Sequence, residues 1–245
     1  MSKLLIVIPS HKRIDKLTKC VQSIIKAKKE NNLLLIDNDI KLILSFDIEE
    51  EYSYFKSLYQ YYTWIRCDLI SSYKAPDFWN MYLLKEENTY DWFMYLNDDT
   101  TVNEDLFEQL FPTLECNFND YDGVVGLNQA NLKSPTNCKA AFGVIGKKFT
   151  ERFPSKQVFC NEFSRLFLDE ELYYFAKSIN KFIYCEHLKI NHFHPAFYPT
   201  MKDSTHDSVR RYTHEDRRRF NIRQARNKVW GNSFDKLFTD LPNKK

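Results

Sequence analysis

Two adjacent carboxylates, Asp98 and Asp99, directly follow a run of large apolar and aromatic residues in DWFMYLNDDTTV, residues 91–102. Such a run predicts a buried strand. Two neighbouring carboxylates at its end repel each other unless water, a hydrogen-bond donor or a cation stands between them. A hard divalent cation prefers oxygen ligands of this kind, whereas the competing interpretation is a solvated turn that caps the next helix. The pair is therefore the first candidate for a cation-binding site.

Two histidines, His192 and His194, form a second candidate in the stretch INHFHP, residues 190–195. Alternate residues of a strand lie on the same face, so both imidazoles are expected to point to one side. A histidine beside an apolar strand is also commonly a buried core residue. Both interpretations, metal or phosphate contact and core packing, remain open from the residues alone.

The spacing of apolar residues predicts the elements that position these side chains. LLIVI (residues 4–8) and LLLIDND (33–39) are typical of strands covered on both faces, and residues 11–30 between them have helical spacing. Strand, helix and strand together predict a βαβ unit. Ligands of parallel sheets bind beyond the carboxyl ends of the strands. Three predicted strand ends carry polar clusters, at residues 10–13, 37–39 and 97–99. Cations on one wall of such a crevice and carboxylates on another suit a nucleotide diphosphate with its metal.

The rest of the chain continues as one α/β domain. Further strands are predicted at KLILSF, TWIRC, GVVGLN and AAFGVIG, and two short ones within KFIYCEHLKINHFHP. Helices are predicted at DIEEEYSYFKSLYQYY, PDFWNMYLLKEE, NEDLFEQLFPTL and DEELYYFAKSI. We expect residues 1–200 to form the main domain, with a nucleotide-binding half (1–100) and an acceptor half (101–200). Residues 201–245 are expected to form a basic extension that docks on it.

Composition excludes several classes of protein. The 245 residues include 43% apolar residues, which suffice for a large core, and the net charge of +2 does not by itself indicate a polyanion partner. The six cysteines are scattered without a CxxC pair, which predicts reduced thiols and no zinc site. No run approaches the roughly 18 to 20 apolar residues of a membrane span, and the short LLIVI run is not a signal peptide. A cytoplasmic protein without P-loop or dinucleotide motifs is expected.

The order of these motifs resembles a known family. IVIPSHKR, a strand ending in Asp37, then FWN and a strand ending LNDD is similar to nucleotide-sugar glycosyltransferases of the GT-A fold, of the family-2 type. The resemblance implies a Rossmann-like, mostly parallel sheet with flanking helices and a C-terminal helical extension. It also implies metal-dependent, inverting transfer of a sugar from a nucleotide, commonly UDP, to an acceptor hydroxyl. Asn97 stands where the family usually has the first aspartate.

The resemblance also assigns site residues. Asp99 and His192 are expected to bind Mn²⁺ or Mg²⁺, with His194 as the competing histidine. The implied donor-binding residues are Pro9, Ser10, Lys12, Arg13, Asp37, Asp39, Lys74, Asn80, Asn97 and Asp98.

The acidic start of a predicted helix, in FLDEELYYFAKSINKFIY, resembles the family segment that carries the general base. Asp169 matches best, with Glu170 and Glu171 as competitors. The base would deprotonate the acceptor hydroxyl during inversion. From the residues alone, these acids could equally serve only to favour a helix N-terminus.

The stretch VRRYTHEDRRRFNIRQARNK, residues 209–228, carries eight basic and two acidic residues. It predicts either a helix that closes over the diphosphate or approaches an anionic acceptor, or a solvated helix docked through Phe220. The later KVWG resembles the KWG ending of some small transferases of this type. The acceptor is expected to be a glycan or a modified nucleic acid. Two further hypotheses are a nucleic-acid-binding module and a nucleotidyltransferase, although the latter typically has a glycine-rich first loop that PSHKR lacks.

Overall fold

The structure is a computed structural model that describes residues 2–30, 39–71, 74–132, 139–195, 197–226, 228 and 230. Its strands are β1 (Lys3–Ser10), β2 (Asp39–Phe46), β3 (Ile65–Leu69), β4 (Trp92–Tyr95), β5 (Thr100–Val102), β6 (Val124–Gln129), β7 (Gly143–Gly146) and β8 (Phe182–His192). Its α-helices are α1 (Ile14–Glu30), α2 (Glu49–Leu58), α3 (Ala75–Lys85), α4 (Leu106–Phe118), α5 (Lys147–Thr150), α6 (Leu168–Ser178) and α7 (Ser204–Ala225).

All eight strands belong to one sheet in the order β3-β2-β1-β4-β7-β6-β8-β5. β1 pairs in parallel with β2 and β4, β2 with β3, and β6 with β8. β7 runs antiparallel between β4 and β6, and β5 runs antiparallel to the end of β8. The predicted α/β class with a mostly parallel sheet is confirmed.

The apolar runs of the central strands are explained by cover on both faces of the sheet. In β1, Leu4, Ile6 and Ile8 pack into one hydrophobic cluster with α1 and α4. Leu5 and Val7 point to the other face, into a second cluster formed with α3 and α6. A strand buried on both sides reads as a continuous apolar run rather than an alternating one. The core therefore has two layers, and the strand ends project beyond both.

The second strand differs from the prediction. β2 pairs with β1 from Lys3↔Asp39 to Ser10↔Phe46, so Asp39 lies at the amino end of β2 and not at its carboxyl end. The expectation that Asp39 belongs to a polar cluster at the carboxyl end of a strand is therefore wrong. β2 corresponds to the run predicted as the further strand KLILSF, and it pairs with β1 along its whole length. Asp37 lies outside the described residues.

The second half of the sheet also departs from the prediction. Residues 182–192 form one strand, β8, instead of two short ones, with an irregularity in its pairing opposite Leu127 and Asn128. The three residues of β5 follow Asp99 directly and pair with the end of β8. Among the helices that the structure describes, none has the length and apolar character that crossing a membrane requires.

Candidate active site

The parallel register of β1 and β4 brings the first and last polar clusters together. Val7 lies opposite Tyr95, so three residues further along Ser10 lies beside Asp98. The Oγ of Ser10 donates a hydrogen bond to Oδ2 of Asp98 at 3.1 Å, and both residues are buried. Burial raises the pKa of Asp98, while the guanidinium of Arg13 and the hydroxyl of Ser10 oppose that rise. Arg13 and Ser10 are therefore the partners that favour the negative charge of this carboxylate.

Arg13 is the cation that stands between the two adjacent carboxylates. Its Nη1 lies 2.8 Å from Oδ1 of Asp98 and 3.4 Å from Oδ2 of Asp99, and the side chain is buried. Burial alone would lower the pKa of Arg13, but the charges of Asp98 and Asp99 raise it above its ordinary value. The guanidinium stays protonated, so the like charges at the end of β4 are stabilised within the protein.

Elements from both ends of the chain fix the position of Arg13. The backbone N–H groups of Lys12 and Arg13 donate to the carboxylate of Glu51 on α2 at 2.9 and 3.0 Å. Lys12 has a left-handed φ of 57°, which turns the chain from β1 into α1. Asp203, just before α7, lies 3.1 Å from Nε of Arg13 and also pairs with Lys16. Arg13 is therefore held rigidly in this position.

Asp99 and His192 face each other because β5 and β8 are paired. Thr100 lies opposite His192, and the N–H of Phe193 donates to the carbonyl of Asp99 at 2.9 Å. Nε2 of His192 lies 3.5 Å from Oδ1 of Asp99. Nδ1 of His192 lies 2.7 Å from Oε1 of Gln129, an atom that can only accept, so Nδ1 carries the proton. In the neutral imidazole, Nε2 is then the acceptor nitrogen and its lone pair points towards the carboxylate.

This arrangement fits a divalent cation. A carboxylate oxygen and an imidazole lone pair repel each other unless a positive charge lies between them, and a histidine that donates its other N–H to a carbonyl oxygen is typical of metal ligands. Asp98 is committed to Arg13 and Ser10 instead. Within the described residues no cluster of three or more His, Cys, Asp or Glu has metal-site geometry. The protein would thus supply two ligands, Asp99 and His192, and the geometry favours His192 over His194.

A cavity of about 440 Å³ opens at the carboxyl ends of β1, β2 and β4. Its polar wall includes Ser10, His11, Arg13, Asp47, Asn97, Asp98, Asp99, Arg165, Asp169, His192 and His194. Its apolar wall includes Pro9, Phe78, Trp79, Tyr95, Phe142 and Tyr212. The crevice between cations and carboxylates that the strand ends predicted is therefore present.

Asp47 in this crevice was missed from the sequence, and its partner His11 was predicted only as a member of the polar cluster at residues 10–13. Nδ1 of His11 lies 2.8 and 3.0 Å from the two carboxylate oxygens of Asp47, whose side chain is buried. Asp47 directly follows β2 and so occupies the place that was predicted for Asp37 and Asp39. The end of the KLILSF run was the signal that could have identified it.

At the start of α6 the structure distinguishes the three acidic residues. Asp169 lines the cavity. Glu171 is buried, and its carboxylate binds Nε and Nη2 of Arg223 at 2.6 and 3.1 Å and the N–H of Trp230 at 2.9 Å. Glu170 is not among the described residues that line the cavity. Of the three candidates, Asp169 is the one that lines the described cavity.

The structure does not bring five predicted donor or catalytic residues to the crevice: Lys12, Asp39, Lys74, Asn80 and Glu170. The side chain of Lys12 lies at a separate shallow pocket beside Glu51. Lys74 is exposed just before α3. Nδ2 of Asn80 donates to the carbonyl of Phe159 at 2.6 Å and its Oδ1 accepts from the same residue's N–H at 2.9 Å. Asn80 therefore joins α3 to a loop instead of binding a ligand.

Asn80→Ala is expected to lower the free energy of unfolding by about 3 kcal/mol, because it leaves a buried N–H and a buried carbonyl of Phe159 unpaired. Urea denaturation measures this loss. Asn117→Ala, which removes a single exposed hydrogen bond to Thr113, is the matched control and should change stability by less than about 0.5 kcal/mol. Unchanged stability of Asn80→Ala with weakened nucleotide binding would restore the donor role.

Helix α7 uses its charged residues within the protein. The guanidinium of Arg217 lies over the ring of Phe167 at 5.4 Å, Nη1 of Arg219 donates to the carbonyl of Glu162 at 2.6 Å, and Arg223 binds Glu171. These contacts attach α7 to the loop that precedes α6. They do not favour an interface for nucleic acid built on the same arginines.

Comparisons with known proteins support the fold. No family model and no curated protein matches the sequence. Solved structures do match: S. aureus TarS 1-349 in complex with UDP has a TM-score of 0.56 at 9% identity, covering 75% of this chain and 58% of that chain. GalNAc-T7 with UDP, GalNAc and Mn²⁺ has a TM-score of 0.59 at 11% identity, covering 78% and 44%.

A third match is the 4-diphosphocytidyl-2C-methyl-D-erythritol synthase of Anaerococcus prevotii, with a TM-score of 0.54 at 13% identity, covering 87% of this chain and 96% of that one. The chain spans 58% of the length of the TarS 1-349 structures with and without UDP. The predicted GT-A fold is confirmed by these similarities.

Proposed function

We propose that this chain is a glycosyltransferase that moves a sugar from a nucleotide-sugar donor to an acceptor hydroxyl. The proposed donor is a UDP-sugar. The observation that carries the proposal is the Asp99–His192 pair, whose two electron-rich atoms face each other 3.5 Å apart in a crevice at the carboxyl ends of the central strands. The TarS and GalNAc-T7 structures bind UDP in the same fold. Neither nucleic-acid binding nor nucleotidyl transfer is favoured.

Asp99 and His192 would hold Mn²⁺ or Mg²⁺, which supplies positive charge to the diphosphate as the glycosidic bond breaks. Arg13 keeps Asp98 and Asp99 in place and compensates their repulsion, so that the carboxylate pair does not reject an anionic donor. Ser10, Asn97 and the His11–Asp47 pair line the part of the crevice next to β1 and β2, where we place the nucleoside.

Asp169 is the proposed general base. In an inverting transfer the acceptor oxygen attacks the anomeric carbon, its proton passes to the carboxylate of Asp169, and the electron pair of the breaking bond leaves with the nucleoside diphosphate. Asp169 begins α6 and Tyr212 of α7 lines the same cavity, so we place the acceptor, a glycan hydroxyl in the simplest case, between these helices. Donor and acceptor then approach from different walls.

The full chain is expected to be stabilised by UDP only when Mn²⁺ or Mg²⁺ is present, since two protein ligands are too few to hold the cation without the diphosphate. Thermal unfolding with UDP, CDP and GDP, each with and without Mn²⁺, measures this. A panel of UDP-sugars should then show slow release of UDP by hydrolysis.

CTP incubated with the chain and a phosphomonoester acceptor provides the control for nucleotidyl transfer, because transfer of CMP to that acceptor releases pyrophosphate. Release of pyrophosphate without release of UDP would contradict the proposed function and indicate a nucleotidyltransferase instead. Absence of stabilisation by any nucleotide under every metal condition would overturn it.

A further inference from the structure

Arg165 carries a positive charge in the crevice that the mechanism above does not use. Its side chain lines the cavity and is partly buried. It lines this cavity together with Arg13, Asp98, Asp99 and Asp47, which lie at the ends of β1, β2 and β4 and act on it electrostatically. Unlike the guanidinium of Arg13, it makes no hydrogen bond or ion pair with a side chain of the described residues.

A guanidinium that is withdrawn from water without a counter-ion is costly, and an anionic ligand would remove that cost. Burial, followed by the nearby charge of Arg13, lowers the pKa of Arg165. The charges of Asp98, Asp99 and Asp47 act in the opposite direction without reversing this effect. An anion that entered between Arg165 and a cation at the Asp99–His192 pair would therefore be attracted from two sides. A phosphate group can also accept two parallel hydrogen bonds from one guanidinium.

The backbone at Arg165 is fixed by a single buried acid of α7. The carboxylate of Asp216, which is fully buried, accepts hydrogen bonds from the N–H groups of Ser164, Arg165 and Leu166 at 2.9, 2.9 and 3.0 Å. Three backbone donors on one carboxylate define the path of the loop. Asp216 thus binds the segment that leads from Arg165 into α6.

Helix α7 also holds the backbone of Phe167, two residues after Arg165, in an unfavourable conformation. Phe167 has a left-handed φ of 68°, which is strained for a residue with a bulky side chain. Its ring stacks on Phe220 of α7 with centroids 4.8 Å apart, and Arg217 covers it. Helix α7 therefore sets the geometry of residues 164–167, the loop that carries Arg165 and leads to the proposed base, Asp169.

We infer that Arg165 contacts the diphosphate of the donor and stabilises the charge on the leaving nucleoside diphosphate, and that Asp216 of α7 is the positioning residue that holds it there. The inference rests on the proposed function and gives Asp216, a buried acidic residue of α7, a role at the proposed active site. Arg13 pairs with the carboxylates, Asp99 and His192 would hold the cation that supplies positive charge to the diphosphate, and Arg165 would supply a second positive charge.

The test compares UDP with uridine, since only UDP carries the diphosphate. Arg165→Ala should weaken UDP binding in the presence of Mn²⁺ by about 10- to 100-fold, the usual effect of a charge-assisted hydrogen bond. Uridine binding, followed by ligand-observed NMR, should change by less than about twofold. Arg165→Lys should restore part of the UDP affinity because it keeps the charge. Arg218→Ala, an exposed arginine of α7, is the matched control and should leave both affinities unchanged.

A double-mutant cycle tests the positioning role. Asp216→Asn keeps one acceptor oxygen but turns an amide N–H towards backbone donors, so UDP affinity should fall by about 3- to 10-fold. In the Arg165→Ala background the same substitution should cause no further loss of UDP affinity, because the residue that it positions is absent. A merely structural role would lower UDP affinity equally in both backgrounds and would overturn the positioning assignment.

The outcomes separate this inference from the proposed function. If the unsubstituted chain binds UDP with Mn²⁺ and Arg165→Ala binds it equally well, the role of Arg165 is overturned and the glycosyltransferase proposal stands. If Arg165→Ala lowers the affinities for uridine and for UDP to the same extent, Arg165 does not act through the diphosphate, and its proposed contact is overturned. If the unsubstituted chain binds neither ligand, the proposed function and this inference are both wrong.

Discussion

Asp169→Asn is expected to lower the rate of sugar transfer by about 10³-fold while leaving the affinity for UDP within about twofold of the unsubstituted chain. The amide has nearly the same shape as the carboxylate but cannot take the proton of the acceptor hydroxyl. Asp169 lines the cavity at the start of α6, whereas the proposed cation ligands, Asp99 and His192, lie after β4 and at the end of β8. The proposed diphosphate contact, Arg165, is a separate residue of the loop before α6, so substitution of Asp169 should separate chemistry from donor binding. Transfer assays at saturating donor measure the first effect, and calorimetry with UDP measures the second.

The neighbouring acids provide matched controls for this prediction. Glu170→Gln changes the same kind of group one residue away, outside the described lining of the cavity, and should retain transfer within about threefold of the unsubstituted rate. Glu171→Gln should instead lower the stability of the fold by about 3 kcal/mol, because it weakens a buried pair with Arg223. A large loss of rate in Glu170→Gln with an active Asp169→Asn would move the base to Glu170.

The sequence predicted those site residues whose location depends only on their position at the end of a single strand. Ser10 and Asp98 each end an apolar run, and parallel strands that start in register must end in register. The pairing of Asp99 with His192 follows similarly, since a strand that begins after Asp99 can align with the strand that ends at His192. Residue type and position in a run were enough in these cases.

The part that was missed depends on choices between segments. Asp47 and Asp39 lie at opposite ends of the same strand, and only the pairing with β1 decides which of them reaches the crevice. Two apolar runs separated by a few residues satisfy the same pattern, so periodicity cannot choose between them. The register of the sheet, which is a tertiary property, makes the choice.

Helix α7 shows a different limit of sequence analysis. A count of charges describes residues 209–228 as a basic surface, yet a fully buried acid, Asp216, organises the active-site loop. Arg217, Arg219 and Arg223 contact groups of the same domain. Net charge reports which ligands a surface could attract, but it does not report which charges are already paired inside the protein.

The second large effect is expected at Asp99. Asp99→Ala should abolish the increase in UDP affinity that Mn²⁺ produces, a loss of about 100-fold or more, because one of two protein ligands is removed and His192 alone cannot hold the cation. His192→Ala should have a similar effect.

Asp98→Asn should behave differently. Arg13 loses part of its charge compensation, so the stability of the fold should fall while the increase in UDP affinity with Mn²⁺ remains.

Calorimetric titration of UDP with and without Mn²⁺, combined with the electron paramagnetic resonance signal of bound Mn²⁺, measures the response of each variant. Asp120→Ala removes an exposed aspartate outside the described lining of the crevice and controls for the loss of a carboxylate as such. The reason for expecting a sharp contrast between two adjacent residues is geometric. Asp98 faces the buried Arg13, whereas Asp99 faces Nε2 of His192. A change at Asp98 therefore weakens an ion pair within the protein, and a change at Asp99 removes a proposed ligand of the added cation. Retention of the full Mn²⁺ effect by Asp99→Ala would show that the cation binds elsewhere.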